Sequence, residues 1–269
     1  MKSKQQKNDV KNRELTDRGI FINYVHPILY KGLMVWAIGD RVYYKRPPNE
    51  TFHEFIIFIL KDTLGQRWFD EQKMLFENDQ HHIYKCFAGF NKWRGKNALP
   101  ENKIGEHMWR GRPDGWSEDL ITLAFDVASL QHTGCLPVKL VERLRDRKQY
   151  QGARYEIEVA AIFTRLGFDI TFIEAKRNGP KHCEFIAKNR ANDLTVAIEV
   201  KSRHRAGILH ESGLINDKKN LRGDVGRLLN QAMEKIEARC MSYIIFVDVN
   251  IPPTENDRGE FGKKMDEGC

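Results

Sequence analysis

No C-x-x-C pair occurs anywhere in the 269 residues. The five cysteines, Cys86, Cys135, Cys183, Cys240 and Cys269, are scattered and odd in number, which supports neither a disulfide framework nor a zinc ribbon and fits reduced thiols. A long apolar run is missing too. Residues 19–39 are apolar-rich, but Asn23, His26, Pro27 and Lys31 interrupt them well short of the ~18 consecutive apolar residues of a membrane span. The opening MKSKQQKNDVKNRELTDRG lacks the apolar core of a signal peptide, so the expectation is a cytosolic protein with no membrane partner. Internal repeats are lacking as well. What remains is a chain of ordinary globular composition, 41% hydrophobic and 30% charged, too apolar for disorder and long enough to bury a core. Its net charge of +7 points to an anionic partner, of which nucleic acid is the commonest.

The pattern divides the chain near residue 149. Residues 1–19 read as a basic tail and 20–148 as a mainly helical module with one small hairpin. The β-prone LMVWAIGDRVYY (33–44) turns at Gly39-Asp40, and PPNE breaks the chain. Thr51 and Glu54 then stand at capping-box spacing ahead of a helix that Gly65 stops. Further helical patterns cover 67–77, 117–131 and about 137–147. Five tryptophans, Trp36, Trp68, Trp93, Trp109 and Trp116, lie in this module, and core packing is the simpler account of them than base stacking. The polar RDRKQYQGA (145–153) reads as a junction. From 149 to 252 the order becomes helix (about 153–166), three strands (FDITFIE, CEFIAK, LTVAIEVK), helix (about 224–239), strand (YIIFVDV), which predicts an α/β domain with a mixed sheet. A polar tail covers 253–269.

The charges on those strands are the unusual feature. Strand side chains alternate faces, so Val196, Ile198 and Val200 share one side while Ala197, Glu199 and Lys201 share the other. On CEFIAK, Glu184 opposes Cys183, Phe185 and Ala187. A hairpin between these strands brings Glu184 and Glu199 together on one face. Two adjacent carboxylates resist ionisation, and a hard divalent cation reverses that penalty. Glu156 heads the stripe Val159, Ala160, Phe163 and Leu166 on its helix, where it needs a partner such as a metal-bound water, or else sits exposed in a first turn. On the later helix Val225, Leu228, Leu229, Ala232 and Ile236 are expected to be buried. Arg227, Gln231 and Lys235 form a polar stripe beside them, with Lys235 read more readily as solvated than Gln231.

The stretches RYEIEVAAIFTRLGF, HCEF, AIEVK and NQAMEK together resemble the PD-(D/E)xK nuclease superfamily, over residues of about 150–250. The resemblance implies a restriction-endonuclease-like mixed sheet flanked by helices, and phosphodiester hydrolysis with Mg2+ or Mn2+. It assigns the metal-binding acids to Glu184 and Glu199, the family lysine to Lys201, the first-helix acid to Glu156 and the later-helix glutamine to Gln231. Glu184 departs from the usual Asp, and His182 stands where a "PD" dipeptide has its proline. On this reading a backbone carbonyl near Val200 is a further metal ligand, and Arg203, His204, Arg205 and Arg227 meet nucleic-acid phosphates. DNA is the expected partner, RNA the second choice, and a homodimer is admitted; defence and DNA repair both fit. Two other readings stand beside it. One is a non-catalytic nucleic-acid-binding or assembly protein on the same fold. The other is a zinc enzyme using His182-Cys183-Glu184, or His81 and His82 with Cys86, although the downstream P-C-x-x-C of nucleobase deaminases is absent.

Overall fold

Leu33–Ile38 (β2) and Arg41–Arg46 (β3) pair antiparallel as the expected hairpin, and Gly39 at its turn has φ +58°, a region that a side chain disfavours. Ile28–Tyr30 (β1) adds a third strand that the pattern did not predict. Trp36 turns inward from β2 and stacks on Phe55, their rings 4.4 Å apart. Phe55 belongs to Phe52–Leu64 (α1), whose capping box is formed as expected: Glu54 N–H donates to Thr51 Oγ1 at 3.3 Å, and Thr51 N–H donates to Glu54 Oε2 at 3.0 Å. Gly65 closes that helix. The computed structural model describes residues 27–106, 108–173, 180–204 and 224–250. The expected tails, Arg205 and the loop up to residue 223 lie outside those residues.

Gln66–Lys73 (α2), Gly115–His132 (α4) and Val138–Arg145 (α5) fall where helices are expected. His82–Asn97 (α3) is a sixteen-residue helix that the sequence reading passed over. Two signals hid it. Its N-terminus is capped by His81, whose Nδ1 accepts from Ile83 N–H, rather than by Ser, Thr, Asp or Asn. Gly89 looks like a breaker, yet it lets α3 approach α4: a Cβ there would lie 2.6 Å from Trp116 Cβ. A short two-stranded ribbon, Lys103–Gly105 (β4) with Met108–Trp109 (β5), is also new.

Tyr150–Arg165 (α6) begins inside the stretch expected as a junction, with Tyr150 and Gln151 buried. Behind it Phe168–Phe172 (β6), Phe185–Asn189 (β7), Thr195–Ser202 (β8) and Tyr243–Asp248 (β9) form one sheet in chain order. The first three strands run antiparallel and β8 runs parallel to β9, so the mixed sheet is observed. Val159, Ala160 and Phe163 of α6 pack on Phe185, Val196, Ile198 and Val200. The same buried cluster continues through Leu123, Ala124 and Val127 of α4 to Phe55 and Ile59, so the helical half and the sheet half share one core. Val225–Met233 (α7) makes the crossover to β9, stopping six residues before the expected end. Being short, it seats only Leu228 and Ala232, one helical turn apart; Val225, Leu229 and Ile236, expected inside, are exposed. No helix among the described residues is long and apolar enough to cross a membrane.

Candidate metal site at the end of the sheet

The pairing Phe185↔Ile198 sets Glu184 opposite Glu199, and Glu184 N–H donates to Ile198 O at 3.0 Å. By alternation, Val196, Ile198 and Val200 enter the core, while Glu199 and Lys201 project to the other side, where α7 lies and Tyr243 Oη donates to Ala232 O. The carboxylate and the ammonium of the strand are therefore brought together with Glu184, as the alternation predicts. Lys201 Nζ contacts Glu199 Oε1 and lies 3.9 Å from Glu184 Oε1.

Glu199 is fully buried, and its Oε2 has no partner among the described residues. Oε1 is ion-paired instead, with the Lys201 ammonium against it and Lys235 Nζ 3.2 Å away. A buried carboxylate with unfilled lone pairs is costly, and it suits a hard cation that takes oxygen ligands. Burial, then the charges of Glu156 and Glu199, push the Glu184 carboxyl up to about 7 against the pull of Lys201 and Lys235. Two facing acids, one with an open oxygen and one reluctant to ionise, form a donor set that a divalent ion fits.

Glu156 is buried, as its place on the stripe predicts, but its partner is Arg143 on α5. Arg143 Nη1 and Nη2 donate to its two oxygens at 2.6 and 2.7 Å. A metal-bound water is thus not needed to satisfy it, and the first-turn alternative fails because α6 starts at Tyr150. Glu156 acts on the site through charge. The α7 stripe is reversed from expectation: Gln231 and Arg227 are exposed, whereas Lys235 reaches the site at 3.2 Å from Glu199 Oε1. The helix ends at Met233, so Lys235 leaves the helical stripe and turns toward the strands. Arg203 is engaged by Asp224 at 2.9 Å and is mostly buried, leaving it less open to phosphate than expected. His204 is exposed, with Nε2 beside Gly152 of α6. Val200 is buried in the β8–β9 ladder.

A second cluster offers metal-ligand residue types: His82, Cys86 and Asp119, drawn from α3 and α4. His82 Nε2 lies 2.5 Å from Asp119 Oδ2, and Arg154 of α6 places Nε and Nη2 at 3.1 and 2.5 Å from Oδ1. Although burial opposes it, the His82 hydrogen bond and the Arg154 charge hold Asp119 well below the usual carboxylate range. Burial and Asp119 drive the Cys86 thiol far up, away from the thiolate that binds metal. Arg154 already fills the cation's place here. The other zinc candidate is likewise occupied: His182 Nδ1 lies 2.6 Å from Glu237, and the Cys183 thiol, pushed up by burial to about 12, points to Phe185 O.

Comparison with protein-family models, curated proteins and solved structures finds no match to this chain.

Proposed function

We propose that this chain is a metal-dependent nuclease of the PD-(D/E)xK kind, hydrolysing phosphodiester bonds in DNA. The observation that carries the reading is Glu199: fully buried, with Lys201 and Lys235 crowded on Oε1, no partner on Oε2, and Glu184 facing it. A core has no use for such a group. Support for the restriction-endonuclease-like arrangement comes from the strand order, with β7–β8 antiparallel, β8–β9 parallel, α6 ahead of the sheet and α7 in the crossover.

Glu184 and Glu199 would hold Mg2+ or Mn2+, with the backbone carbonyl near Val200 as a further ligand. Bound there, the ion would supply a polarised phosphate and a more acidic water. The chain's own groups do the rest. Lys201, tied to both acids, presents a positive charge where negative charge grows on the attacked phosphate, and it orients the incoming water. Arg143 fixes Glu156, whose charge is felt at Glu184. Arg227 and Gln231, exposed on α7, and His204 meet the nucleic-acid backbone beside the site. The net charge of +7 favours that encounter.

The test is cleavage of duplex, single-stranded and branched DNA, with an RNA control, in Mg2+, in Mn2+ and in chelator, by wild type and Lys201→Ala. Metal-dependent cutting lost in the variant is expected. No cutting, or equal cutting by the variant, rejects the site and leaves nucleic-acid binding without catalysis as the reading to pursue.

A further inference from the structure

Among the described residues, Lys235 is a cation at the sheet end to which the hydrolytic reading gives no task. Its side chain is only 15% exposed; Nζ lies 3.2 Å from Glu199 Oε1 and donates to the His182 carbonyl at 2.7 Å. The backbone around it is clamped to the entrance of β7. Ile236 N–H donates to Lys181 O at 3.1 Å. Glu237 lies 2.6 Å from His182 Nδ1 and accepts from Cys183 N–H at 3.0 Å. An ammonium held in this way on a buried carboxylate is not a solvated surface charge.

We propose that Lys235 is a resident counter-cation: it pairs with Glu199 and holds its side chain in place while no metal is bound, and it yields that contact to the divalent ion. The inference rests on the metal reading of Glu184 and Glu199. The other cations are committed differently. Arg143 is spent on Glu156, and Lys201 spans both acids. Lys235 has its second acceptor outside the acid pair, the His182 carbonyl, to which it stays bonded when Glu199 turns to the metal. A divalent ion on Glu199 would stand within a few ångströms of this ammonium, and the two positive charges repel. Lys235 therefore weakens metal binding and raises the metal concentration at which the site fills, a coupling that is reciprocal by linkage.

Isothermal titration of the full chain with Mn2+ tests this, using wild type, Lys235→Gln, Lys235→Met, Lys235→Arg and Glu199→Gln. Lys235→Gln keeps a donor for the His182 carbonyl and loses the charge; Lys235→Arg keeps the charge. The expected result is roughly tenfold tighter Mn2+ binding by both neutral variants, from the loss of one adjacent positive charge. Lys235→Arg should stay near wild type, and Glu199→Gln should not bind. Melting curves should show the neutral variants less stable than wild type without metal and raised further by Mn2+. Mn2+ binding that Glu199→Gln abolishes but Lys235→Gln leaves unchanged or weaker overturns this proposal alone. Absence of binding by wild type and by every Lys235 variant overturns it together with the metal site.

Discussion

Two paired carboxylates, the half-buried Asp119 and the fully buried Glu199, are treated in opposite ways by the same chain. Asp119 sits between three helices and is saturated, with His82 on one oxygen and the Arg154 guanidinium on the other. Glu199 sits at the end of the sheet, more deeply buried, with two ammonium groups on Oε1 and no partner on Oε2. A closed network of the first kind fixes how helices pack and asks for nothing further. The second kind keeps one carboxylate oxygen open beside two ammonium groups, an arrangement that a cation ligand explains better than packing does. Buried charge alone does not mark a functional site; incomplete satisfaction does.

The contrast breaks most sharply under substitution of the open cluster. Glu199→Gln should lower cleavage by about a thousandfold or more, since one of the two proposed metal-holding groups is lost, while its denaturant-measured stability stays within about 1 kcal/mol of wild type. The closed cluster should behave in reverse. Arg154→Met strands Asp119 and should cost about 3 kcal/mol in urea unfolding, because breaking a buried pair leaves its partner uncompensated. Where that variant is folded, its Mn2+ affinity should be unchanged.

Acidity sharpens the comparison further, because the two groups shift in opposite directions. Asp119, depressed in the folded chain, contributes stability that is present above its unfolded pKa near 4 and lost as pH falls through the folded value. Glu184, raised from 4.5 to about 7, contributes stability that is full below 4.5 and lost as pH rises through about 7. In the metal-free chain the urea midpoint should therefore fall between pH 5 and pH 8, and Glu184→Gln should flatten that fall. Asp119→Asn should instead flatten the loss on the acid side. The smallest effect concerns the exposed basic face. Arg227→Gln should weaken DNA binding severalfold and reduce the slope of log affinity against log salt by about one, without changing metal affinity.

Much of the site was readable from strand alternation. Glu184, Glu199 and Lys201 fall on one face because a period of two leaves no other arrangement once the strands pair. The mixed sheet was equally readable, since three closely spaced strands must pair locally and the helix must cross back. The partners were not. Arg143 lies on the preceding helix, thirteen residues before Glu156, and no periodicity within either helix links the two. Lys235 was misread because a helix assumed to run to 239 placed it on a solvent stripe, while the real end at Met233 turns it inward. Helix α3 escaped because its cap is an imidazole and Gly89 serves close packing against Trp116, so both ends of the usual signal were inverted. Spacing reports which face a side chain takes; it does not report which distant element supplies its counter-charge.

A crystal of the chain soaked in Mn2+ and read by anomalous scattering would place the ion directly. The account predicts one peak at the sheet end, about 2.1 Å from oxygens of both Glu184 and Glu199, with Lys235 drawn back onto the His182 carbonyl. A peak at His82, Cys86 and Asp119 instead, or none at the sheet end under conditions where the chain cuts DNA, would contradict it.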